Sequence, residues 1–163
     1  MGKTMKPLFL AVSLVALSQL AGATEINVAF SEDFNEALEA ELGEREGDVL
    51  SSEIIEDLNR AFERVGVSPT KVNITIINAK PNRPTFEQLA DRPGLDALRS
   101  ISLGGMKLQA TAVDGAGGVL TELEYGWFET DIRQSVGKAT WSDAKRASHR
   151  FARKFAEQLN VIQ

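Results

Sequence analysis

The sequence predicts an α+β fold. The expected form is a two-layer sandwich, in which a mostly antiparallel sheet of about four strands carries two main helices on one face. Three observations lead there. Short stretches alternate apolar and polar side chains, two longer stretches carry apolar stripes of helical period, and the elements follow in the order β-α-α-β-loop-β-β-α. Alternation marks half-buried strands, whereas parallel strands covered on both faces read as unbroken apolar runs.

Ile26, Val28 and Phe30 alternate with Asn27 and Ala29 and predict the first strand. Ser31 reads as an N-cap, with Glu32 and Asp33 in the first turn where the helix dipole favours carboxylates. Phe34, Leu38 and Leu42 recur four apart, so residues 32–42 predict a helix. Gly43 and Gly47 bracket a polar break, and Ser51 or Ser52 is expected to cap the next helix. Its stripe runs through Ile54, Leu58, Ala61, Phe62 and Val65, and Gly66 and Pro69 end it. Val72, Ile74 and Ile76 mark a second strand. Residues 79–98 then hold three prolines with room for one helical turn, capped by Thr85. An irregular stretch that long in a small domain is usually a functional or packed loop. Strand is expected again from Arg99. Met106 to Ala112 and Thr121 to Trp127 alternate around Asp114-Gly115-Ala116-Gly117-Gly118, a hairpin signature. Gly104-Gly105 marks a bulge or the start of the strand. Thr140-x-x-Asp143 reads as a capping-box variant opening a last helix, with Trp141, Ala144, Phe151, Phe155 and Leu159 on its apolar face.

The first 23 residues have the pattern of an export leader. Lys3 and Lys6 precede the apolar run of residues 7–20, and Ala21-Gly22-Ala23 offers an A-x-A cleavage site. The run is shorter than the roughly 20 residues of a membrane-spanning helix. The expected product is one domain, residues 24–163, soluble in the bacterial periplasm, with no lipid-bearing cysteine and no membrane span. The chain contains no Cys, which excludes disulfides, zinc-thiolate sites and thiol catalysis. Loss of the leader's two lysines leaves 16 Lys+Arg against 23 Asp+Glu, a net charge of −7. Nucleic acid is therefore a poor partner. The charge is uneven: residues 24–63 are strongly acidic and residues 138–154 strongly basic, which reads as two solvated faces or a surface that steers a charged partner.

No pattern for a cofactor or metal stands out. The glycine groups precede strands, not helices, so they do not form a phosphate loop. His149, the single histidine, lies among Arg146, Arg150 and Arg153 on a solvated helix face, and no serine sits in a nucleophile elbow. Trp127 and Trp141 fit apolar positions of core-facing elements. The strongest candidate is the stiff loop of residues 79–99, where Lys80, Arg83, Arg92 and Arg99, with Asp96, suit recognition of an anionic group or of another envelope protein. These bases could instead pair with the chain's own acids. Two alternatives stand beside this non-enzymatic reading. An envelope hydrolase would pair Glu129 or Asp131 with a loop acid, Asp91 or Asp96. A structural subunit would self-associate through the sheet.

Ala79-Lys80-Pro81-Asn82-Arg83-Pro84-Thr85-Phe86, Arg92-Pro93-Gly94-Leu95-Asp96, Tyr125-Gly126-Trp127-Phe128-Glu129 and Thr140-Trp141-Ser142-Asp143-Ala144 resemble pieces of a family of small exported bacterial proteins without an assigned function. Residues 106–159 are more loosely similar to the end of envelope lipoproteins of unknown function. The resemblance implies an envelope location and brings no catalytic residue. The lipid-bearing Cys of those lipoproteins has no counterpart here. Expressed in a bacterium, the protein recovered from the periplasm should begin at Thr24 on N-terminal sequencing. Recovery of the uncleaved chain from the cytosol would refute the leader.

Overall fold

A computed structural model describes residues 23–162, so the expected leader, save Ala23, lies outside the described residues. The elements are β1 (Glu25–Phe30), α1 (Glu32–Ala37), a π turn (Leu38–Leu42), α2 (Glu44–Val65), β2 (Lys71–Lys80), α3 (Phe86–Asp91), β3 (Gly105–Val113), β4 (Val119–Phe128), a 3₁₀ turn (Ile132–Ser135) and α4 (Ser142–Ile162). The strands form one mixed sheet in the order β1-β2-β3-β4. β1 runs parallel to β2 across the helical crossover, and the other two pairings are antiparallel. The expected α+β architecture is therefore present.

Alternation decides which sheet face is covered. Val72, Ile74 and Ile76 of β2 and Met106, Leu108, Ala110 and Ala112 of β3 are buried, and their neighbours in sequence point to the wetter face. α4 packs over β3 and β4 and against α2. Leu50, Ile54 and Leu58 of α2 join Phe151, Phe155 and Leu159 of α4 in the core, where the Phe151 and Phe155 rings stack at 5.7 Å. Polar groups also cross the helix seam. Buried Asp57 accepts a hydrogen bond from Ser148 Oγ at 2.7 Å, and His149 Nδ1 lies 3.5 Å from the same carboxylate.

Four local expectations need correction. The segment 32–42 is not one α-helix, because the chain widens into a π turn at Leu38 that keeps both Leu38 and Leu42 buried. There is no polar break before α2. The helix starts at Glu44, Ser51 and Ser52 lie inside it, and Gly47 is buried in its second turn. A Cβ on Gly47 would lie 2.9 Å from Phe30 Cζ and 3.1 Å from Leu38 Cδ1, so this glycine answers a packing need. Strand does not resume at Arg99 but at Gly105. Asp143 does not close a capping box with Thr140, because its carboxylate is used elsewhere.

Two irregularities aim the ends of the sheet. β2 bulges at Ile77, whose carbonyl accepts a hydrogen bond from Ser31 Oγ at 2.9 Å. Gly105 opens β3 opposite both Lys80 and Phe128. It holds φ +155°, and a Cβ there would lie 2.3 Å from the Trp127 carbonyl oxygen and 2.5 Å from Phe128 Cα. Backbone cannot yield as a side chain can, so Gly105→Ala should destabilise by about 2–4 kcal/mol in denaturant unfolding. Gly115→Ala, whose nearest neighbour would be Thr70 Oγ1 at 3.7 Å, should change stability by less than about 0.5 kcal/mol.

Candidate functional site

The candidate loop leaves β2 at Lys80 and reaches β3 at Gly105, and one buried side chain ties it down. Asn82 N–H donates to the Thr140 carbonyl at 2.6 Å, and the Asn82 carbonyl accepts from Ser102 N–H at 2.9 Å. Asn82 Oδ1 accepts from the Asp143 N–H at 2.9 Å, while Asn82 Nδ2 donates to Asp143 Oδ2 at 2.5 Å, Ser102 O at 3.3 Å and Ser135 Oγ at 3.4 Å. Asn82 thus caps the start of α4 from another part of the chain, satisfying a backbone donor the helix cannot. Gly104 lies against the same amide, where a Cβ would fall 2.6 Å from Asn82 Oδ1.

Charge completes the knot. Asp143 is fully buried and accepts from Lys138 Nζ at 2.5 Å, and Glu129 Oε2 lies 3.6 Å from that ammonium. A carboxylate taken from water needs such a partner. Glu129 also accepts the N–H groups of Asp131 and Thr130, which hold its carboxyl below the ordinary glutamate range. Asp131 is likewise lowered, chiefly by the Arg133 guanidinium, its bidentate partner.

The five candidate residues of the loop take different roles. Arg83 turns inward: Nε donates to the Lys138 carbonyl at 2.5 Å and Nη1 to the carbonyls of Leu98 and Ala97. Arg92 Nη2 pairs with Glu41 Oε2 at 3.1 Å. Asp96 Oδ1 accepts from Leu98 N–H at 2.8 Å and Arg99 N–H at 2.7 Å, and these donors lower its pKa. Lys80 Nζ stands 5.8 Å from the centre of the Phe128 ring. Arg99 is exposed and, among the described residues, has no carboxylate within ion-pair distance. Lys80, Arg83 and Arg92 come together around a surface hollow of about 270 Å³ with Leu95, Ile101 and Leu103; Asp96 and Arg99 do not reach it.

A second hollow of about 310 Å³ lies on the other side of Pro84, between α2, α3 and the start of α4. Val49, Phe86, Leu89 and Trp141 line it, and Trp141 Nε1 donates to Glu46 Oε2 at 2.6 Å. Thr85 and Gln88 form a reciprocal capping box that sets the start of α3. The next residue, Phe86, is 79% exposed, and Leu98 across the loop is 81% exposed. Ile101 and Leu103 add further exposed apolar surface. In the sequence the loop's charges stand out and these apolar side chains do not, their only signal being their place in a polar, proline-rich stretch. Among the described residues no three His, Asp or Glu side chains gather as metal ligands would, and no helix is long and apolar enough to cross a membrane.

No family model and no curated protein matches the chain. One solved structure with a likeness, described as "a putative lipoprotein from Caulobacter crescentus CB15", is 15% identical and aligns over 83% of this chain and 88% of its own, at a TM-score of 0.37. A likeness of that size bears no weight in assigning a role.

Asn82→Ala should lower stability by about 2–4 kcal/mol, because it leaves buried Asp143 Oδ2 and the Asp143 N–H without their partner. Limited proteolysis under native conditions should then cut within residues 83–103. An unchanged unfolding midpoint and cleavage pattern would show that the loop is held by other contacts.

Proposed function

We propose that this chain is an exported, non-enzymatic binding domain of the bacterial periplasm, residues 24–163 forming one domain behind a cleaved leader. It recognises another envelope protein through the surface of residues 79–103. The observation that carries this reading is the exposure of Phe86 and Leu98 on a backbone that Asn82 and Arg83 hold in place. Large apolar side chains held in water on a fixed loop suit a contact surface. A backbone fixed in advance loses little entropy on binding. Lys80 and Arg92 line the adjoining hollow with Ile101 and Leu103 and suit carboxylates on the partner's rim.

An anionic cell-wall group is the weaker ligand for the same loop. Arg83 spends its donors on backbone carbonyls, and Arg92 already meets Glu41. The hydrolase alternative gains no support from the carboxylates it needs. A general acid at neutral pH requires a raised pKa, whereas Glu129, Asp131 and Asp96 are all lowered.

Immobilised wild-type protein should retain a specific envelope protein, and Phe86→Asp or Leu98→Asp should each reduce its recovery about tenfold, the loss of one anchor side chain. Val161→Asp, at an 86% exposed position near the end of α4, should not. If both loop variants fold and retain the same protein at wild-type levels, the reading fails.

A further inference from the structure

A second surface lies along the outer edge of the sheet. β4 pairs with β3 alone, so its other side is open among the described residues. Glu129 N–H donates to the Gly104 carbonyl at 2.9 Å. By alternation, the backbone groups of Phe128, Gly126 and Glu124 face outward. Gln158 closes one end of this edge, where its Nε2 donates to the Glu122 carbonyl at 3.0 Å. Among the described residues no strand pairs with the remaining stretch, residues 123–128.

A row of cations borders that stretch. Arg150 stands 4.6 Å and Arg146 5.5 Å from the centre of the Trp127 ring, and Lys154 stands 5.9 Å from that of Tyr125. Gln158 continues the row at the same spacing of four. Among the described residues none of the three cations has a carboxylate within ion-pair distance, although the chain carries 23 acids. The aromatic faces hold the charged heads over β4.

We propose that the open edge of β4 takes an extended acidic segment of a partner protein as an added strand, with carboxylates at alternate positions set against Arg146, Arg150 and Lys154. The spacings agree. Successive cations rise about 6 Å along the helix. Every second side chain of a strand rises about 6.7 Å. Over three pairs the mismatch stays within the reach of flexible Arg and Lys side chains. Main-chain hydrogen bonds would supply affinity, and the cation row would supply selectivity.

A second copy of this chain does not fit the place. Antiparallel β4–β4 pairing would bring both cation rows against each other on the helix face, and the register centred on Leu123 would also set Glu122 of each copy against Glu124 of the other. The other edge, β1, turns Ile26, Val28 and Phe30 toward the helix layer, with no acid among them.

The test uses short fluorescein-labelled peptides in which Glu alternates with Thr and Val, against isomers of identical composition with the glutamates in one block. Anisotropy should give the alternating peptide at least about tenfold tighter binding. Amide resonances of Glu124, Gly126 and Phe128 should shift on titration. Arg150→Glu should weaken binding about tenfold while thermal unfolding stays unchanged. If that variant unfolds, Lys154→Glu, on an exposed position, gives the same readout. Equal affinity for the block isomer, no binding at all, or stronger shifts of the same amides by polyphosphate or phosphatidylglycerol vesicles would overturn the proposal. Lys80 of the loop reaches Phe128 of this site, whereas Phe86 lines the hollow between α2, α3 and the start of α4, so Phe86→Asp should leave peptide binding intact whether or not the loop reading survives.

Discussion

The buried amide of Asn82 governs how this molecule is put together at the end that carries the loop of residues 81–104. One side chain joins the exit of β2, the approach to β3 and the first turn of α4, and it completes the coordination of Asp143 from the side opposite Lys138. Each partner would be costly to bury alone. A carboxylate without Lys138 and Asn82, or a first-turn N–H without Oδ1, loses its water with nothing in exchange. The network is satisfied as a whole, and no buried side-chain donor or acceptor among the described residues lacks a partner. A polar cluster of this kind fixes geometry more than it adds stability. Here it fixes a loop that regular secondary structure does not hold.

That constraint explains why the loop's charges and its apolar groups have exchanged the roles their chemistry suggests. Arg83 carries the guanidinium best suited to an external carboxylate, yet it acts as an internal clamp on three backbone carbonyls. A loop without a ladder must satisfy its carbonyls somehow, and a planar fork of donors meets several at once. Asp96 does the converse for N–H groups. With the polar side chains turned to the backbone, Phe86, Leu98, Ile101 and Leu103 are left facing water.

How much of this could be read from the sequence follows the range of the interactions. The alternation at Val72 to Ile76 and Met106 to Ala112, the stripe of α2 and its end at Gly66, the Thr85 cap and the Asp114 turn are local, and each takes its expected form. Parallel pairing of β1 left no mark, because an edge strand covered on one face alternates in either direction. Gly47 reads as a break in any local scheme, since the ring that requires it lies 17 positions earlier. Asp143 sits at a plausible capping position and serves a residue 61 positions away. Of the loop, its existence and stiffness were legible. The separation of its bases into clamp, ion pair and exposed group was not, because that depends on which carbonyls the fold brings within reach.

The uneven charge resolves along α4. One side of the helix meets the acidic α2, where Lys145 pairs with Glu53 at 2.7 Å and His149 faces Asp57. Part of the opposing charge of the two segments is thus met within the molecule, across a seam whose packing is apolar. The other side carries Arg146, Arg150 and Lys154, which have no carboxylate within ion-pair distance among the described residues, onto aromatic faces at the sheet edge. A cationic border is also a means of keeping an exposed strand from pairing with its own copies. The two consequences share one cause. The like charge that keeps copies of β4 apart is what makes the same edge selective for an extended chain of opposite sign, so resistance to self-association and affinity for an acidic strand should rise and fall together as these cations are removed.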